Sequence, residues 1–189
     1  ILPIFKRYLP SLVSLIDGND FSGNKLNTKF SEKINQRTVE YNLKGKLVVE
    51  ASIYDIITKA AENDSSAIRL LNFFEQTFEK LNLLLNQDEK KIIKSKIYDL
   101  LINFDLKYLN FFGELAVLNK IIETKQHKLV GTEITLSTGK KIDFKLFDTK
   151  NKIDVLVEIL NIQLKQDSHK EMDVDKFLAK RLKDKLQQK

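Results

Sequence analysis

Glu114 and Glu158 are charged residues in places where charge is expensive. Glu114 shares its i−3, i+3, i+4 and i+7 positions with Phe111, Val117, Leu118 and Ile121, so it lies inside an apolar helical stripe. Glu158 alternates with Leu156, Leu160 and Ile162 on one face of an extended segment, and Val155, Val157 and Ile159 fill the other. Apolar residues on both faces mark a central strand, where a carboxylate needs a compensating group. Asp143, in Lys141-Ile142-Asp143-Phe144, alternates with Lys141 and Lys145 opposite Ile142, Phe144 and Leu146. Taken singly, Asp143 is ordinary for a solvated strand face, and Glu114 for the edge of a stripe. Taken together, Asp143 and Glu158 on neighbouring antiparallel strands could share a divalent ion, which would supply the charge that Glu158 requires.

Composition narrows the chemistry. The 189 residues include no cysteine and only two histidines, His127 and His169, without a short His-x-x-x-His spacing. Thiolate sites and disulfides are excluded, and the usual zinc ligand sets are missing. Any metal would be a hard, oxygen-bound ion such as Mg2+ or Mn2+. The absence of cysteine also fits a reducing, cytoplasmic setting. The net charge of +6 is compatible with nucleic acid, although basic and acidic residues are mixed throughout and no dense basic arm occurs. No G-x-S-x-G or G-x-x-x-x-G-K-[ST] motif is present. The chain opens without methionine, as expected of a processed terminus or of a start partway along a longer chain. The uncharged run near Tyr8 to Ile16, interrupted by Pro10, is too short to span a bilayer and reads as a packed helix, so no membrane association is expected.

The elements that would position these acids follow from periodicity. Residues 1–105 read as a mainly helical region, with a loop over 17–35 and a short hairpin at 38–50 around Lys44-Gly45-Lys46. Ile53, Ile56, Ile57 and Ala60 share a helical face, and Asn63-Asp64-Ser65-Ser66 offers a break and an N-cap. Ile68, Leu71, Phe74, Phe78, Leu81 and Leu85 form the stripe of a second helix. Ile92, Ile93, Ile97, Leu100 and Leu101 line a third, making an antiparallel bundle. Over 106–189 the pattern is a helix from Tyr108 to Glu123, then strands at Leu129–Ser137, Lys141–Phe147 and Ile153–Leu164. An amphipathic helix from Asp173 to Gln188 closes the chain. The expected class is α+β.

A helical glutamate, an aspartate on the second strand and a glutamate on the third resemble the PD-(D/E)xK nuclease superfamily, whose core is restriction-endonuclease-like: helix, three-strand meander, helix. The match covers about Leu109 to Gln188. The resemblance implies that Asp143 and Glu158 hold Mg2+ or Mn2+, that Glu114 completes the acidic set, and that the chain cleaves phosphodiesters as an endonuclease or exonuclease on nucleic acid, DNA first. Two positions depart from the motif: Leu160 stands where the lysine belongs, and Ile142 where the proline belongs. A lysine from elsewhere would have to serve. Lys145, on the face of Asp143, is the candidate on the sheet, with Lys176 and Lys180 on the last helix as alternatives. Lys141, Lys176 and Lys180 are the expected nucleic-acid contacts. The alternative is a catalytically inactive nuclease-like domain that binds nucleic acid or a protein, with a second copy of the chain as one such partner. A third reading is a helical interaction module with a structural sheet.

Overall fold

Polar caps and one capping box set where the helices begin. In a computed structural model the described residues are 2–16, 52–103 and 107–160, with isolated positions at 28, 31–32, 35–36, 179–180 and 183. Helices α1 (Leu2–Tyr8) and α2 (Pro10–Leu15) are divided at Pro10, as its missing N–H requires. Ser52 caps α3 (Ile53–Ala61), and the Asp64 carboxylate caps α4 (Ser65–Leu84) by accepting from the Ser66 and Ala67 N–H groups. Asn63, at φ 65, provides the left-handed residue between them. Asn86 and Glu89 form a reciprocal capping box at the start of α5 (Gln87–Ile102). The second oxygen of Glu89 accepts the Leu129 N–H at 3.0 Å, so one buried carboxylate fixes α5 against the sheet. Helix α6 spans Tyr108–Ile122.

The sheet is an antiparallel meander in the order β1-β2-β3, from His127–Thr135, Lys141–Asp148 and Ile153–Val157. The chain is thus α+β. Gly139 closes the first hairpin at φ +79, a region that side chains rarely adopt. The register of β1 on β2 slips between Leu129 and Gly131. A Cβ added at Gly131 would lie 2.7 Å from Ile134 Cδ1. Asp148 organises the second turn: its carboxylate accepts from the Lys150 and Asn151 backbone N–H groups and from the Asn151 side chain.

The buried apolar residues form one cluster reaching from Phe5 to Leu146. Phe74, Phe78, Leu81 and Leu85 are buried in it, as their helical spacing predicts. Phe112 of α6 enters the same layer, with its ring centroid 3.8 Å from that of Phe74 and edge-on contacts to Phe73 and Phe78. Ile68, expected in the stripe of α4, is instead exposed, because the inward face is set by Ala67, Leu71, Phe74 and Phe78. No helix among the described residues is long and apolar enough to cross a membrane.

The third strand also departs from expectation. The third strand ends at Val157 rather than Leu164, and in the described sheet it lies at an edge, with β2 in the centre. Leu156 is 49% exposed and Ile153 is also open, so apolar residues on both faces here do not mean burial on both faces. Consecutive hairpins place strands in sequence order, which puts the last strand outside. The hairpin at 38–50, Lys176 and most of the final helix lie outside the described residues.

Candidate functional site

Lys96 is the centre around which the acids gather. It occupies the inward stripe of α5 between Ile93 and Leu100, and its side chain is 1% exposed. Its Nζ donates to Glu114 Oε2 at 2.5 Å and to Glu133 Oε1 at 3.2 Å, and lies 3.7 Å from Asp143 Oδ1. The Phe144 ring backs the ammonium, with its centroid 5.4 Å away. Three elements therefore deliver four groups to one point: Lys96 from α5, Glu114 from α6, and Glu133 and Asp143 from the sheet.

The sheet places its two acids side by side. The register pairs Thr132 with Phe144 and Ile134 with Ile142, so Glu133 and Asp143 stand at the same level of neighbouring strands. Glu133 sits at φ 52, an unusual conformation for a residue with a side chain and one that costs on the order of 1–3 kcal/mol. Its second oxygen accepts from Lys141 Nζ at 2.9 Å. Asp143 Oδ2 accepts the Ile159 N–H at 2.6 Å, which holds the segment after β3 against the start of β2. Glu158 follows directly on Val157, the partner of Phe144, and is half-buried beside this junction.

The electrostatics follow from three carboxylates facing two ammonium groups. Burial opposes the charge on Lys96, but the Glu114 hydrogen bond and the attraction of its acidic neighbours outweigh it and raise the lysine pKa above 10.5. Burial raises the Glu114 pKa above 4.5, and repulsion from Asp143 and Glu133 adds to the rise, against the pull of Lys96. The directions differ in cause: the acids around Lys96 outweigh its burial, whereas for Glu114 burial outweighs the one cation beside it. Glu133 shifts the other way, lowered first by its hydrogen bond from Lys141. The side chains of Asp143 and Glu133 are 20% and 35% exposed, so the cluster opens on their side and is closed on that of Lys96.

Of the residues singled out from sequence, Glu114 and Asp143 meet at Lys96, and Glu158 stands next to the Asp143–Ile159 junction. Lys145 does not join them; its Nζ lies 2.7 Å from Asp154 Oδ2 on β3. Lys141 is exposed and attached to Glu133, and Lys180 is exposed at a helical position. Lys96 and Glu133 escaped the sequence reading. Lys96 carried the same signal as Glu114, a charge at the i+3 and i+4 positions of Ile93 and Ile92 within an apolar stripe. Glu133 had no such signal, since its role depends on a backbone conformation that the pattern does not encode.

The donor set is entirely carboxylate oxygen with an excess of negative charge, which suits a hard divalent ion. The arrangement is nevertheless the one an ammonium imposes: among the described residues, no three His, Asp or Glu side chains are disposed to hold a metal. Compared with known proteins, the chain matches no family model, no curated protein and no solved structure.

Proposed function

We propose that this chain is a metal-dependent phosphodiesterase of the PD-(D/E)xK type, acting on nucleic acid, with Lys96 supplying from a helix the cation that Leu160 does not. The convergence of Glu114, Glu133 and Asp143 on the Lys96 ammonium carries this reading. Support comes also from the order of elements, a glutamate-bearing helix followed by a three-strand meander, as a restriction-endonuclease-like core requires. The cysteine-free composition supports a cytoplasmic setting.

Asp143 and Glu133, the more exposed acids, would hold Mg2+ or Mn2+, with Glu158 adjacent. Such an ion, when bound, acidifies a water nucleophile and offsets charge on phosphorus. The chain's own part is positional. Glu114 keeps the Lys96 ammonium at the carboxylates rather than in solvent, and the Ile159 N–H fixes one oxygen of Asp143 so that the other faces the cluster. Lys141, at the exposed side, offers a phosphate contact.

The deciding experiment incubates the purified chain and its Asp143→Asn variant with single- and double-stranded DNA and RNA in Mg2+ and in Mn2+. The expected result is metal-dependent cleavage that falls by about two to four powers of ten in the variant. Absence of cleavage on every substrate would overturn the catalytic reading.

A second reading is favoured by the near-complete burial of Lys96 and by carboxylates arranged around it rather than around a metal. On that reading the domain is catalytically silent and binds nucleic acid or a protein partner. Salt-sensitive DNA binding without cleavage is its signature.

A further inference from the structure

The two faces of the sheet are unequally covered. On β2, Phe144 and Leu146 belong to the core, whereas Lys145 and Phe147 on the opposite face are half-buried. Helix α5 lies on the core side, where Thr132 donates to the Ile92 carbonyl and the Lys96 ammonium rests by the Phe144 ring. On the other face, Phe147 pairs with Lys128 of β1 and Asp154 of β3, which puts Val130 and Leu156 at its diagonals. Val130 is 45% exposed and Leu156 49%. Gly131, opposite Lys145, adds no side chain, and the Lys145–Asp154 ion pair borders the strip. Val130, Phe147 and Leu156 thus form an apolar strip left open among the described residues.

The chain carries a matching surface directly downstream. The Asp143 carboxylate holds the Ile159 N–H against β2, and residues 161–189 continue from that point. Within them Val174, Phe177, Leu178, Leu182 and Leu186 recur at helical spacing, with Lys176, Lys180 and Lys183 on the opposite side. We propose that residues 173–188 dock as a helix on the strip of Val130, Phe147 and Leu156, so that the sheet is covered on both faces. The dimensions agree: such a helix is about 24 Å long, and the eight residues of β2 extend about 26 Å. Residues 161–172 reach up to about 40 Å, enough to turn the chain back onto the sheet. With Phe177 and Leu178 inward, Lys180 and Lys183 face solvent, and both are helical and exposed. The other long stretch outside the described residues, 17–51, is a poorer occupant. It is polar over 17–35, and its flanking residues Ile16 and Ser52 are buried in the helical layer.

The test uses the full chain and its lack of cysteine, which makes Leu156→Cys a single thiol. That thiol should react with 5,5′-dithiobis(2-nitrobenzoic acid) about 10-fold or more slowly than Asn72→Cys, placed at an exposed position of α4. Adding Phe177→Asp and Leu182→Asp should remove the protection at position 156 and leave the rate at position 72 unchanged. Equal rates at the two positions before any aspartate is added would overturn the proposal. Protection that survives the aspartates would assign the strip to another segment, and protection that fades on dilution would assign it to a second copy of the chain; either would overturn it. If the aspartates unfold the protein, the paired variant Leu156→Cys with Leu178→Cys decides. A short bismaleimide should link the two thiols within one chain at micromolar protein. Links only between chains, or none, would overturn the docking.

Discussion

Lys96 and Glu114 depend on each other more than either depends on the sheet. A buried charge that loses its partner keeps its desolvation cost and receives nothing in return. In metal-free buffer Lys96→Met should therefore destabilise the protein by about 3–5 kcal/mol, because Glu114 remains buried beside Glu133 and Asp143. Adding Glu114→Leu should restore most of that loss, since apolar replacement of a whole buried pair is often neutral or better. A double-mutant cycle by urea denaturation measures the coupling; additive single effects would mean that the two side chains do not share their energy. This pair also marks how far the sequence can be read at this scale. Glu114 is visible as a charge in an apolar stripe, and Lys96 passes the same test on the preceding helix. What the pattern cannot supply is that the two stripes face each other, because that depends on how α5 and α6 pack.

The elements were largely written in the sequence, and their ends carry the exceptions. Three helices start at caps, where Ser52, Asp64 and Asn86 satisfy N–H groups that nothing else in their helices reaches, and of these the sequence pattern marks the break at Asn63-Asp64-Ser65-Ser66. Asn86→Ala removes the capping box of α5 and, through Glu89, loosens the bond to Leu129. A loss of about 1–2 kcal/mol in thermal or urea denaturation is expected, and an unchanged midpoint would show that the box is decorative. Strand β3 was legible in its beginning and not in its end. Period-2 alternation continues past Val157, but pairing to β2 stops there, and pairing is not a property of one segment.

The turn between β2 and β3 adds a pH dependence at the same scale. The Asp148 carboxylate is held below its ordinary value of 3.8, chiefly by the Asn151 backbone N–H and then by the Asn151 side chain. A folded pKa below the unfolded one contributes stability that is full above 3.8 and is lost as pH falls through the folded value. Thermal melts of wild type and Asp148→Asn should therefore differ near neutrality and converge in strong acid. A constant difference across that range would assign the turn's stability to something other than the carboxylate.

At the scale of the whole molecule, a boundary near residue 105 divides the helical half from the sheet half in sequence, yet the physical connections cross it. Phe112 of α6 lies between Phe74 and Phe78 of α4, the Glu89 carboxylate of α5 binds the Leu129 N–H of β1, and Lys96 of α5 reaches Asp143 of β2. One apolar cluster contains residues from both sides. Neither half can keep its buried surface without the other, so the described core should unfold as a unit. Far-UV circular dichroism, which reports mainly helix, and hydrogen exchange at β2 should yield the same midpoint and the same free energy in urea. Phe112→Ala should lower both together, by about 3–5 kcal/mol, because the ring it removes belongs to the layer shared by α4 and α6. Two separated transitions, or a loss confined to the helices, would show instead that the halves are independent. The acid cluster would then be an interface between two domains, held together mainly by Lys96.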